Sequence, residues 1–231
     1  QKQVEKPRFK REMICLSCHM TGDTQGVPGL LMFSTTPETA QAFGSILFTR
    51  HTMPVSKRFG GWVVTGASVE SPHLGNGFDK IAARPSPVLP STDGLYDQDG
   101  YLSHKSDAAA LMVFSHQVGM VDQIVRASWE GKMVGTAKPT AGELTVLSAV
   151  AEDLVDMLLF VDEARAHGAV VGSSGFTERF QAAGPKDAKG RSLHELDLKT
   201  RLQKYPLSYM IYSPAFQSMP ADIKQLVLDR I

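Results

Sequence analysis

The clearest hydrophobic pattern lies in the second half of the chain. There "DAAALMVFSHQVGMVDQIVRASWE", with Ser106 placed to cap it, predicts a helix to about Glu130. Thr140 and Glu143 have capping-box spacing and open a second long helix to about Ala166. Its apolar positions Leu144, Leu147, Val150, Leu154, Leu158 and Val161 recur at three and four, the helical period. Ser192 and Glu195 open a shorter helix the same way, another follows near Tyr205 to Tyr212, and Pro220 starts a last one. The first half lacks this regularity. Residues 5 to 19 read as a short helix, and Thr36 is placed to cap another whose first position is Pro37. "FGGWVVTG", 59 to 66, predicts a strand or tight hairpin edge. Residues 67 to 104, with Pro72, Pro85, Pro87, Pro90 and "TDGLYDQDGY", are irregular over a length that is uncommon unless the stretch covers something. The expected fold class is mostly α. It has two long antiparallel helices, shorter helices around them, a small β element and long loops wrapped around a ligand. We expect one domain over 1–231, loop-rich over 1–104 and helical over 105–231.

Composition narrows the partners. The 24 basic and 24 acidic residues cancel, so the chain lacks the basic excess of a nucleic-acid binder. At 42% hydrophobic it can bury a real core. No apolar run approaches the ~20 residues of a membrane span, since the stretch around Leu154 to Val161 is broken by Asp156. The first residues are basic and polar rather than a charged-then-apolar leader, the expectation for a mature or excised form. The chain stops at Ile231 inside an amphipathic pattern, the expectation for a piece of a longer protein.

Both cysteines fall in "EMICLSCHMTG", 12 to 22. A thioredoxin-like Cys-x-x-Cys would follow a strand in a βαβ context, which the charged flank and the helical second half do not provide. A structural zinc site needs about four ligands, and with no other cysteine it would draw on His19 and a distant histidine. Cys15-Leu16-Ser17-Cys18-His19 is more specific, because it is the c-type haem attachment pattern. Residues three apart on a helical turn share a face and reach the two vinyl groups of one porphyrin, while the following histidine faces iron.

In these five residues the chain resembles cytochromes c. The phrases "HTMPVSKRFGGWVVTG", "HLGN", "SHQVGM" and "GPKDAKGRSLHELDLKTRLQKYPLSYMIYS" extend the likeness to large bacterial proteins with a single such motif. The resemblance implies one covalent haem c on Cys15 and Cys18, His19 as axial ligand, and a periplasmic or otherwise extracytoplasmic location. It implies one-electron transfer with a redox partner protein of unspecified identity and oligomeric state. A haem enzyme or gas-binding protein with an open distal site is the alternative, and a haem subunit of a larger redox assembly is a third. Over 200 residues follow the motif, so the plan is a non-standard one.

Two strong axial ligands suit electron transfer, and an open position suits chemistry. For the sixth position His116 is favoured, because Met112 and Met120 flank it at i−4 and i+4 beside an apolar stripe. His73, His51 and Met53 are alternatives. His51, His73 and His116 together would otherwise form a polar distal pocket. His104, His167 and His194 read as surface residues. Around "RFGGW", Arg50, Lys57, Arg58 and Trp62 are candidates for the haem propionates, with Arg58 and Trp62 preferred, and Phe33, Tyr96 or Tyr101 for a wall. "DGLYDQDGY" lacks acids at the end positions of a calcium loop. The acidic group Glu152, Asp153, Asp156, Asp162 and Glu163, set against the basic N-terminus, would give a field able to orient a partner.

Overall fold

A computed structural model describes residues 8–35, 46–66, 68–70, 72–76, 89, 91–135 and 139–231, and the chain is mostly helical. The helices are α1 (Leu16–His19), α2 (Ala108–Val134), α3 (Ala141–Leu158), α4 (Phe176–Ala183), α5 (Pro214–Gln217) and α6 (Ala221–Leu228). Strands β1 (Phe33–Thr35) and β2 (Ile46–Phe48) pair antiparallel, Phe33 opposite Phe48. Strands β3 (Ser68–Val69) and β4 (Val170–Val171) form a second antiparallel pair.

The long helices begin where their caps dictate. Asp107, not Ser106, starts α2, accepting the Ala109 and Ala110 N–H groups, while the Ser106 carbonyl is engaged by Thr65 N–H. Asp107 also accepts Ser173 and Ser174 N–H, tying the approach to α4 onto α2. The Thr140–Glu143 capping box is present at the start of α3. That helix ends at Leu158 rather than Ala166, although the apolar period continues to Val161. Phe160 and Asp162 take left-handed backbone conformations, and the freed groups bond to the other half of the chain: Val161 O accepts from His51 Nε2, and Ala164 N–H donates to His51 O.

Three other expectations are corrected. The stretch 59–66 is a turn, with Phe59 and Gly61 at positive φ, and Thr65 makes only isolated bridges to Leu89 and Asp107. A side chain at Gly60 would collide with the Thr35 carbonyl, so the turn approaches β1 as only glycine allows. The Ser192–Glu195 signal opens a reversal instead of a helix. Glu195 does accept Ser192 N–H, but Lys204 N–H returns to Glu195 O and Leu198 sits at positive φ in the bend. Tyr205 to Tyr212 is helical only over Tyr209–Tyr212, a short 3₁₀ turn, and α4 carries no capping signal that would announce it. Of the expected N-terminal helix there are a 3₁₀ turn at Met13–Cys15 and α1, with residues 1–7 outside the described ones. The Thr36–Pro37 helix and the stretch holding Pro85, Pro87 and Pro90 also lie outside the described residues.

The two long helices run antiparallel. Arg126 pairs with Asp153 at 2.8 Å, and Gly119 faces Met157 one end further along. α6 closes the far end, with Ile223 against Gly131 and Arg230 reaching Ser148 on α3. Met32, Val55, Phe59 and Val64 from the first half join the same buried core. Among the described residues only α2 is long and apolar enough to cross a membrane, and 61% of that stretch is buried among its neighbours. Among the described residues there is therefore no clear membrane span.

Candidate functional site

Cys15 ends the first 3₁₀ turn and Cys18 lies on α1 three residues later, so both thiols, free and exposed, stand on one helical face. Directly behind them the exposed His19 places Nδ1 3.0 Å from Gly29 O. A carbonyl only accepts, so Nδ1 carries the proton and Nε2 keeps its lone pair. Gly29 N–H returns to His19 O at 2.9 Å, which makes the histidine and the 28–30 turn a closed pair. The loop between them is held by a capping box at Thr21 and by Arg50, whose Nη2 donates to Asp23 O. Its far end is fixed to α2, because Leu30 N–H donates to Asp122 Oδ1 at 2.8 Å. Burial raises the Asp122 carboxyl against the opposing influence of the Leu30 amide, Arg50 and His19. Met13, Ile14, Met20 and Leu30 are exposed apolar side chains beside the thiols and the histidine.

The donor set suits covalent haem: two accessible thiols one helical turn apart, an imidazole with its second nitrogen already committed to a carbonyl, and uncovered apolar surface around both. Among the described residues no three His, Cys, Asp or Glu side chains are grouped so as to hold a metal ion, as a structural zinc site would require. A porphyrin iron asks only for His19.

Unlike His19, the three histidines expected as candidates for the sixth position are buried. His116, the favoured sixth ligand, is 1% exposed and stacks on Phe160 with ring centroids 4.4 Å apart. Its Nε2 lies 2.8 Å from Ser208 Oγ, and burial drives its pKa down to about 3. Ligation through that nitrogen would need the ring to leave both partners. His51 sits beside it, ring centroids 6.0 Å apart, and gives its Nε2 proton to Val161 O, with its pKa also lowered by burial. His73 is buried edge-on to Phe59, and its Nδ1 accepts Gly75 N–H, so the proton is on Nε2, the opposite tautomer to that of His19. Met53 is half-buried, and its carbonyl accepts from Arg58 Nε. The structure therefore brings the His51 and His116 rings together in one buried cluster, while the His73 ring packs on Phe59.

Arg58 and Trp62 are spent on structure. Arg58 is 3% exposed, donates to Met53 O and His51 O, and touches Met112 Sδ at 3.6 Å. Desolvation pushes its pKa down to about 10, with Glu163 opposing the shift. Neither guanidinium edge is left for a propionate. Trp62 Nε1 donates to Phe33 O, bracing the 59–62 turn against β1. Tyr96 and Tyr101 pack on each other at the surface. His194, read as a surface residue, is half-buried and stacked on Phe180, with Tyr209 edge-on. Asp122 and Gly29 complete the motif's surroundings, and neither is among the site residues expected from the sequence. The available signal was an acid in "GMVDQIV", in line with the apolar Leu111 and Val118 face of α2. Compared with known proteins, no family model matches this chain, and neither does any curated sequence or solved structure.

Proposed function

We propose that this chain is an extracytoplasmic monohaem c-type cytochrome, carrying haem c on Cys15 and Cys18 with His19 on its iron, and passing single electrons to and from a redox partner protein. The observation that carries the reading is the exposed Cys15–Cys18–His19 turn with His19 Nδ1 already committed to Gly29 O. When bound, the haem supplies a one-electron couple at iron. The chain supplies the rest. Cys15 and Cys18 present thiols that add across the two vinyl groups, each thiol proton ending on the vinyl carbon beside the new bond. Gly29 O fixes the plane and tautomer of the His19 ring, and Met13, Ile14, Met20 and Leu30 offer the apolar surface that a porphyrin covers.

A second reading has its own observation. Unlike the exposed His19, His116 and His51 are buried against Phe160, and His73 is buried edge-on to Phe59 with its Nδ1 taken by Gly75 N–H. That favours a sixth position without a strong protein ligand, and with it binding or processing of a small molecule at iron. One experiment serves both readings: maturation of the chain with haem-attachment machinery, then mass measurement and optical spectra with and without carbon monoxide. The expected mass is that of one thioether-bound haem, lost in Cys15→Ala/Cys18→Ala. Covalent haem with a low-spin spectrum indifferent to carbon monoxide means an electron carrier. Ready carbon monoxide binding moves the assignment to the second reading, and a chain that never acquires haem ends both.

A further inference from the structure

We infer that Asp122 is a positioning residue for the axial histidine, acting on it through a single peptide group; this rests on the haem reading above. The Leu30 N–H and the Gly29 C=O belong to the same peptide. Asp122 Oδ1 accepts that N–H at 2.8 Å, and the same peptide's oxygen accepts His19 Nδ1–H at 3.0 Å. Carboxylate, peptide and imidazole thus form one line of donors and acceptors. A charged acceptor on the N–H side draws the peptide's electrons toward its carbonyl oxygen, and chained hydrogen bonds strengthen one another. The stronger acceptor pulls harder on the Nδ1 proton, leaving Nε2 a better donor to ferric iron, as carboxylates do when they contact a ligating histidine directly.

The relay is built closely. A side chain at Gly29 would collide with the Asp122 carboxylate and press on Thr24 Cβ, so glycine lets this peptide lie against the acid. Gly29 N–H, bonded to His19 O, stops the neighbouring peptide from swinging away. Asp122 itself is fixed on the longest helix, half-way along a buried face, where an acid has no packing role of its own. An acid placed there needs a partner, and the 29–30 peptide is that partner.

The test compares Asp122→Asn, which keeps an acceptor oxygen but loses the charge, with Asp122→Ala, which loses both, in the full chain. Asp23→Asn, a carboxylate in the same loop outside the relay, controls for charge through space. In haem-free protein the readout is the His19 Nδ1 proton by nitrogen-edited NMR, and in haem-loaded protein it is the midpoint potential. The proton should move upfield in Asn and further in Ala, and the potential should rise in the same order. For Ala the preference for ferric iron should weaken about tenfold, ~59 mV for one electron. Asp23→Asn should leave the proton where it was. An unmoved proton overturns the relay, and so do equal potential shifts in Asn and Ala. If Asp122→Ala does not fold, Asp122→Asn against Asp23→Asn decides alone. If the parent chain never takes up haem, the functional reading fails, while the haem-free spectra still decide the contact.

Discussion

Among the described residues, those of 108–228 hold together by burying helix faces in one another, whereas those of 13–76 lean on side chains that hydrogen-bond to backbone groups. In the helical part Val150, Ala151, Leu154, Leu158, Phe216 and Ile223 are sealed in apolar contact, and each helix satisfies its own backbone. In the loop-rich part Asn76 serves both the N–H and the C=O of Val64, Ser34 serves Gly60 N–H, Arg58 serves two carbonyls, and Asp122 serves Leu30. A chain without regular structure must still satisfy its buried peptides, and here single polar side chains do it. The difference is one of redundancy. Loss of one contact in an apolar core is shared among many neighbours, while loss of one such strut leaves named donors and acceptors unpaired. The candidate site sits at the junction, on a loop tied to α2 by Asp122 at Leu30 and by Arg126 at Gln25.

The largest effect should come from the helical side. Leu154→Ala opens a fully buried gap between the long helices and should lose about 3–5 kcal/mol in denaturant unfolding; a loss below ~1 kcal/mol would mean that α3 does not pack as described. Acidification comes next and acts at the junction. His51 and His116 have folded pKa values lowered by burial, His116 to about 3, while an unfolded histidine titrates near 6.5. Below 6.5 the unfolded chain binds more protons, so stability is complete above that pH and drains away as pH falls toward about 3. The drop should be on the order of 2–4 kcal/mol, and His116→Asn should flatten it. A stability curve flat from pH 7 to 4 would contradict the burial of the pair.

Asn76→Ala sharpens the comparison, because it removes one loop residue and no apolar volume. It strands two backbone groups and puts alanine at a left-handed backbone position, at a cost of about 2–3 kcal/mol. Near-neutral thermal melting of that variant would show that the loop-rich part does not depend on its struts. The smallest effect belongs to Trp62→Phe, which loses one solvent-exposed bond to Phe33 O and should change stability by about 0.5 kcal/mol or less. In haem-loaded protein its potential should also stay put, since the indole braces a turn rather than a propionate.

The parts that rest on local rules were legible along the chain. Helical class, the antiparallel pair of long helices and the Thr140–Glu143 start follow from the apolar period and the capping chemistry of adjacent residues. The Cys15–Cys18–His19 turn is local too, since five consecutive residues suffice to put two thiols on one helical face. Folding alone set the fates of residues whose partners are far along the chain. His116 is six residues from Asp122, yet one is tied to Ser208 and the other to Leu30, 92 positions away in each case. No local pattern separates a buried core histidine from an iron ligand, because the apolar stripe around it is the same for both. The end of α3 was hidden too: its period runs on to Val161, but Phe160 turns left-handed, its N–H and that of Val161 return to Met157 O and Asp156 O, and His51 holds Val161 O and Ala164 N–H beyond the turn. Arg58 looked like a propionate partner because charge beside two glycines suggests an anion, but its real acceptors are neutral carbonyls of its own loop. Local pattern fixes which elements can form, and the long-range competition for buried donors and acceptors decides where they stop and which side chains stay free for chemistry.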